Sequence, residues 1–192
     1  RGRPCVATPS SAAMISAIGA VSANGMIGLD GWLPWDIPEE LAYFEQTVDG
    51  AALVIGRLTY ESMDVVPVDS FIGARRDDLQ LRPGCRRVDS VEAGLRAALA
   101  TGKPVFVIGG ASVYAAAWRY CERFYLTRIE RSFDGDSRFP EEIDLGGWLI
   151  ESETVRQLPE YKTRGDVNCR FLVYRQRNPL PLPVPDCNSA PG

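Results

Sequence analysis

Glu40 lies in the most chemically suggestive stretch of the chain, Gly28-Leu29-Asp30-Gly31-Trp32-Leu33-Pro34-Trp35-Asp36-Ile37-Pro38-Glu39-Glu40-Leu41-Ala42-Tyr43-Phe44. Pro38 suits the first turn of a helix, and Glu39 and Glu40 favour the positive helix N-terminus. Leu41, Phe44 and Val48 then recur at the three-to-four spacing of an apolar helical face. Glu40 therefore lies near the edge of that face, where a carboxylate is expensive to bury unless a partner or substrate meets it. Taken alone, it can equally be a solvated first-turn glutamate. Two glycine-bearing segments are suited to phosphate. Gly109-Gly110 follows an apolar run and precedes a helical pattern, so backbone N–H groups can meet a pyrophosphate with no side chain in the way. Gly56-Arg57-Leu58-Thr59 adds a second helix start, a hydroxyl and a guanidinium, and Arg75-Arg76 follow another short apolar run. Each has an ordinary counterpart: a plain turn, a surface arginine, a solvated pair.

Composition removes several chemistries. The chain has no histidine, which excludes Ser-His-Asp and Cys-His nucleophile systems and most zinc or iron sites, so no metal is expected. Proton transfer falls to carboxylates, tyrosines, lysines or water. Cys5, Cys85, Cys121, Cys169 and Cys187 are scattered without a C-x-x-C pair, which points to reduced thiols rather than a metal knuckle or redox motif; Cys5 and Cys187 lie in the tails, where an oxidative crosslink is a lesser alternative. A net charge of -4 argues against a nucleic-acid partner but leaves room for an anionic cofactor. No apolar run approaches the ~20 residues of a membrane span. A cytoplasmic monomer acting on small molecules is the expectation.

The elements that must hold these groups follow from periodicity and punctuation. Short apolar runs at 15–21, 53–55, 70–74, 86–88 and 105–108 read as strands, followed by strands at 123–130, 148–156 and 168–177. Helices are expected from Pro38 to about Asp49-Gly50, from an N-cap at Thr59 through Met63, from an N-cap at Ser90 through Leu99 with Gly102 just beyond, and over 111–120. Strands alternating with helices early and paired late imply the α/β class: a mixed central sheet of about eight strands, helices on both faces and a C-terminal antiparallel hairpin. Residues 1–13 read as an N-terminal extension or tag remnant, 14–177 as one domain, and 178–192, with Pro179, Pro181, Pro183, Pro185 and Pro191, as an extended tail.

The pattern L-P-W-x-I-P-x-E-L-x-x-F formed by Leu33 to Phe44 resembles dihydrofolate reductase, and four further segments extend the resemblance in order. Met14 to Val21 with Asn24-Gly25-Met26-Ile27-Gly28 is similar to the family's first strand and mobile loop. Val54 to Ser62 resembles its G-[RK]-x-T-[WFY]-x-S element, and Val107 to Tyr114 its double-glycine cofactor turn. Tyr125 to Ile129 and Asp134 to Pro140 resemble the late strand and G-D-x-x-F-P loop, so the likeness spans about residues 14 to 177.

That resemblance implies a fold, a cofactor and a set of roles. It implies NADPH as hydride donor and Glu40 as the acid that binds the 2-amino and N3 groups of a pterin and promotes protonation at N5. Thr127 matches the threonine that hydrogen-bonds this carboxylate, and Trp35 would order a water beside it. Ile18, Leu41, Phe44, Met63 and Ile108 match the apolar walls around the substrate. Ala20, Ile27, Gly28, Gly56, Arg57, Leu58, Thr59, Gly109, Gly110, Ala111, Ser112, Val113 and Tyr114 match cofactor positions, and Arg57 with Arg75 or Arg76 would hold the 2′-phosphate. Ser112 stands where many members carry a basic residue. The family also has P-L-P-x-R after the Ser62 helix, whose arginine pairs with the glutamate tail of folate. Here Val65-Val66-Pro67-Val68-Asp69-Ser70 puts Asp69 or Ser70 at that position, which implies either a compensating arginine or a substrate without the tail, a non-glutamylated pterin or another C=N or C=C compound.

Overall fold

The computed structural model describes residues 14–74 and 79–184; Arg75, Arg76, Cys5, Cys187 and the segments 1–13 and 185–192 lie outside the described residues. Its centre is β1 (Ile15–Ser22), seven of whose residues pair in parallel with β7 (Arg123–Ile129), while its start pairs in parallel with β6 (Val105–Val107). Beyond β6 the sheet continues through β3 (Ala52–Gly56), β4 (Ser70–Gly73) and β5 (Cys85–Val88), all parallel. On the other side β10 (Gly165–Arg175) runs antiparallel to β7, and β9 (Leu149–Glu160) closes the eight-stranded sheet as its edge. A two-residue-wide accessory ladder joins β2 (Met26–Gly28) to β8 (Ser137–Arg138).

Alternation along β3 shows how the sheet is sandwiched. Leu53 and Ile55 face one apolar cluster with Val48, Tyr60, Phe106 and Ile108, whereas Ala52 and Val54 face the other with Leu95, Ala98, Val113 and Ala117. The first face is covered by α1 (Pro38–Val48) and α2 (Arg57–Ser62), the second by α3 (Val91–Leu99) and α4 (Ala111–Ala117). A strand buried on both sides must read as a continuous apolar run, and Ala52-Leu53-Val54-Ile55 does. The mixed α/β sheet with helices on both faces and a closing hairpin is thus the fold expected from the sequence.

Local differences have local causes. α2 starts at Arg57 with Gly56 as its cap, so Thr59 lies inside the helix instead of capping it; β3 feeds the helix with no intervening loop. In α1 the inward stripe is Glu40, Phe44 and Val48, one turn apart each, and Leu41, about 100° round, is 46% exposed. The hairpin strands reach further than 148–156 because buried Leu158 pairs with buried Val167. The described part of the proline-rich tail touches the domain: Leu180 N donates to Arg119 O at 2.8 Å, Leu182 packs on the core, and Arg96 donates to Pro183 O.

Candidate active site

Glu40 is 5% exposed, a rare state for a carboxylate. Its helix begins at Pro38, which fixes the first turn, and the sheet behind it brings Thr127 of β7, itself 1% exposed, into hydrogen-bond contact with the carboxylate. Burial pushes the Glu40 pKa up from 4.5 to about 7; Thr127 and Trp35 pull it back only in part. Trp35 is 3% exposed, edge-on to Phe133 at 5.6 Å, and its Nε1 is buried without a partner of ordinary geometry among the described residues, though its nearness favours the charged acid. The expected dry acid is present, and two of its expected neighbours face it.

The same crevice reaches the glycine turns. The Tyr114 hydroxyl donates to Ile18 O at 2.6 Å, and the phenol is held above its usual pKa by burial and by the Glu40 charge. Gly109 adopts φ +101, a conformation that favours glycine, and the Gly109-Gly110 peptide is cis. Gly56 N donates to Gly109 O at 2.6 Å, so the two glycine segments touch across the ends of β3 and β6. A Cβ on Gly56 would come within 3.0 Å of Gly110 N and 3.2 Å of Gly109 O, and one on Gly110 would lie 3.5 Å from the Thr59 hydroxyl. Neither α2 nor α4 has a side-chain cap, so their leading N–H groups remain available. Val113 and Tyr114 are buried beneath this floor, Ala111 is half-buried, and Ser112 and Leu58 point outward.

Around the acid, Ile18 and Ile108 are buried in one cluster with half-buried Phe44 and Met63, whereas Leu41 is exposed and does not join it. Ala20 packs against the cluster that contains Trp35, while Ile27 and Gly28 lie on the short ladder facing β8. That ladder fastens the segment ahead of Trp35: Asp30 N donates to Asp136 Oδ2 at 2.9 Å, Asp136 N to Gly28 O at 3.0 Å, and Asn24 bonds Phe133 twice.

Other expected residues are occupied differently. Arg57 is held bidentately by Glu61 at 2.9 and 2.8 Å, an exposed i,i+4 pair. Asp69, at φ +62, is paired with Lys103 at 2.8 Å, which lowers its pKa, and buried Ser70 donates to Pro67 O. Sequence reasoning passed over two acids. Asp136 sits inside a recognised loop pattern but carried no signal of its partner. Glu160 closes the hairpin onto Asp36, and no periodicity links residues so far apart.

A family model described as dihydrofolate reductase matches residues 14–176. Dihydrofolate reductase of Bacillus subtilis (strain 168) is 34% identical over 168 residues, 86% of this chain and 96% of that protein. Dihydrofolate reductase HdrB of Haloferax volcanii is 36% identical over 142 residues, 69% of this chain and 73% of that protein. The solved dihydrofolate reductase of Enterococcus faecalis, complexed with NADP(H) and RAB-propyl, superimposes with a TM-score of 0.73 at 28% identity, covering 87% of this chain and 98% of that one. Sheet, dry acid and touching glycine turns, with these likenesses, define an α/β oxidoreductase. The chain belongs to the dihydrofolate reductase family.

Proposed function

We propose that this chain is an NADPH-dependent reductase converting 7,8-dihydrofolate to tetrahydrofolate. One observation carries the reading: a single carboxylate, Glu40, is buried to 5% exposure and titrates near neutrality, at about 7, beside Thr127. A group so poised can keep its proton at working pH and still release it.

The residues present fit a dinucleotide. The floor that a Cβ at Gly56 would fill, the uncapped starts of α2 and α4, and the carboxyl ends of β3 and β6 form the crevice where open α/β sheets take such ligands. NADPH, when bound there, supplies the hydride. Gly56, Arg57, Leu58, Thr59 and the segment from Gly109 to Tyr114 hold its phosphates and ribose, with Arg75 or Arg76 joining Arg57 at the 2′-phosphate. Ala20, Ile27 and Gly28 wall the nicotinamide. Glu40 binds the 2-amino and N3 groups of the pterin and favours protonation at N5 as C6 is reduced. Thr127 orients the carboxylate, Trp35 covers it, and Ile18, Leu41, Phe44, Met63 and Ile108 line the substrate. The loop leading to Trp35 excludes water. We assign this activity to residues 14–177, in a cytoplasmic monomer without nucleic-acid or membrane partners; no helix among the described residues is long and apolar enough to cross a membrane.

Asp69 favours a second reading, a reductase of a pterin without the glutamate tail. Asp69 would repel a tail carboxylate, and the nearby cation, Lys103, is already paired with it. NADPH oxidation with dihydrofolate, beside the same assay with a tail-less dihydropterin, decides between them. Turnover of dihydrofolate that disappears in Glu40→Gln supports the first reading; turnover of the tail-less substrate alone supports the second. Turnover of neither sinks both.

A further inference from the structure

A second buried acid, unused by the proposed chemistry, sits at the tip of the C-terminal hairpin. Glu160 is 1% exposed. Its carboxylate accepts the N–H groups of Asp36 at 2.9 Å, Lys162 at 3.1 Å and Thr163 at 2.7 Å, and the Thr163 hydroxyl. The Arg131 guanidinium stands 3.8 Å away. Burial disfavours its charge, but the Thr163 hydroxyl and the three backbone donors outweigh that and hold its pKa at about 2. Two more bonds run from the same turn to the same loop: Tyr161 N to Asp36 O at 2.9 Å, and Lys162 Nζ to Leu33 O at 2.6 Å.

These three ties grip residues 33 and 36, on either side of Trp35. Four residues past Asp36 is Glu40, whose own N–H bonds Ile37 O at 3.0 Å. We propose that the turn 160–163 is a clamp, anchored by the Glu160 carboxylate, that seats Trp35 over Glu40 and fixes the first turn of α1, which carries that acid. Glu160 is thus a positioning residue: it touches neither substrate nor cofactor and acts through Trp35. The inference rests on the reading that Glu40 controls the proton.

What the clamp governs is the dryness of the acid. The groups that interact with Glu40 are Thr127 of β7, Trp35 of the loop, Tyr43 of its own helix, Tyr114 of α4 and Cys169 of β10. Burial holds Tyr43, Tyr114 and Cys169 neutral, and none of these groups brings a positive charge, so exclusion of water remains the main lever on the acid. Releasing the clamp admits water and lowers the Glu40 midpoint.

The test compares Glu160→Gln, which keeps the shape but loses the charge, with Lys162→Met, an exposed change that loses only the tie to Leu33. The carboxyl stretch of Glu40, assigned by its disappearance in Glu40→Gln, is titrated by infrared difference spectroscopy in ligand-free protein. Single-turnover hydride transfer is followed against pH, and far-UV circular dichroism checks folding. The midpoint should fall by about half a pH unit or more in Glu160→Gln, roughly a threefold change in the protonated fraction on the alkaline side. Lys162→Met should move it the same way by less, and KM for NADPH should hold. A folded Glu160→Gln protein with the wild-type midpoint overturns the clamp; if that variant does not fold, an unmoved midpoint in Lys162→Met does so. Should wild type reduce no pterin while the infrared midpoint still moves, the clamp stands and the substrate assignment falls.

Discussion

Thr127 is hydrogen-bonded to Glu40, joining the parallel strand next to β1 to the first turn of α1. The bond is too weak to offset burial, so the acid remains strained toward its neutral form. A carboxyl whose folded pKa, about 7, exceeds its value of 4.5 elsewhere binds its proton more tightly in the folded state. It is neutral in both states at low pH, and from about 4.5 to about 7 stability falls as pH rises. At about 1.4 kcal/mol per unit, the full penalty is on the order of 3 kcal/mol, reached above the folded midpoint. Glu40→Gln should therefore unfold at higher denaturant than wild type at pH 8 and show no such gain at pH 4, while hydride transfer to dihydrofolate drops by about a hundredfold or more. Equal stability of the two proteins at pH 8 would contradict a desolvated acid.

Asp136 accepts from Asp30 N and donates from its own N–H to Gly28 O, pinning the loop ahead of Trp35 to β8. Asp136→Ala should slow single-turnover hydride transfer about tenfold by loosening a water-excluding loop. The lost bond is exposed, so the urea midpoint should move by no more than about 1 kcal/mol equivalent.

Arg57 is bound to Glu61, and any phosphate that recruits it must compete. Exposed i,i+4 pairs are worth about 0.3–0.5 kcal/mol, so Glu61→Gln should tighten NADPH binding only about twofold, with NADH unaffected. Calorimetric titration at low and high salt reads both; an equal gain for NADH would show that Arg57 does not meet the 2′-phosphate.

Ser90 Oγ accepts Ala93 N at 3.0 Å and caps α3, on the face of the sheet away from α1 and Glu40. Ser90→Ala should lower stability by about 1 kcal/mol in urea unfolding and leave the rate of reduction unchanged.

The legible parts of this molecule were those specified locally. Ser90 and Gly102 bracket α3, Pro38 opens α1, and the unbroken apolar runs mark strands covered on both faces. Glu40, Thr127 and the two glycine turns were reachable because each lies in a short patterned segment. Contacts between distant segments were not. Glu160 grips Asp36 from another end of the chain, Tyr114 reaches Ile18, and Gly56 meets Gly109 only because β6 inserts between β1 and β3. Thr59 was misread as a cap because its type fits one, whereas the adjoining strand decides where the helix begins. Leu41 was counted with the apolar face by spacing alone, and the stripe it borders is led instead by an acid.

A chain with no imidazole has an experimental consequence. Burial places the Glu40 carboxyl at about 7. Proton uptake or release on substrate binding close to pH 7, measured by calorimetry in buffers of different ionisation enthalpy and compared with Glu40→Gln, therefore reads this acid without an imidazole contribution. The protein thus carries its own proton reporter at the position where the chemistry is assigned.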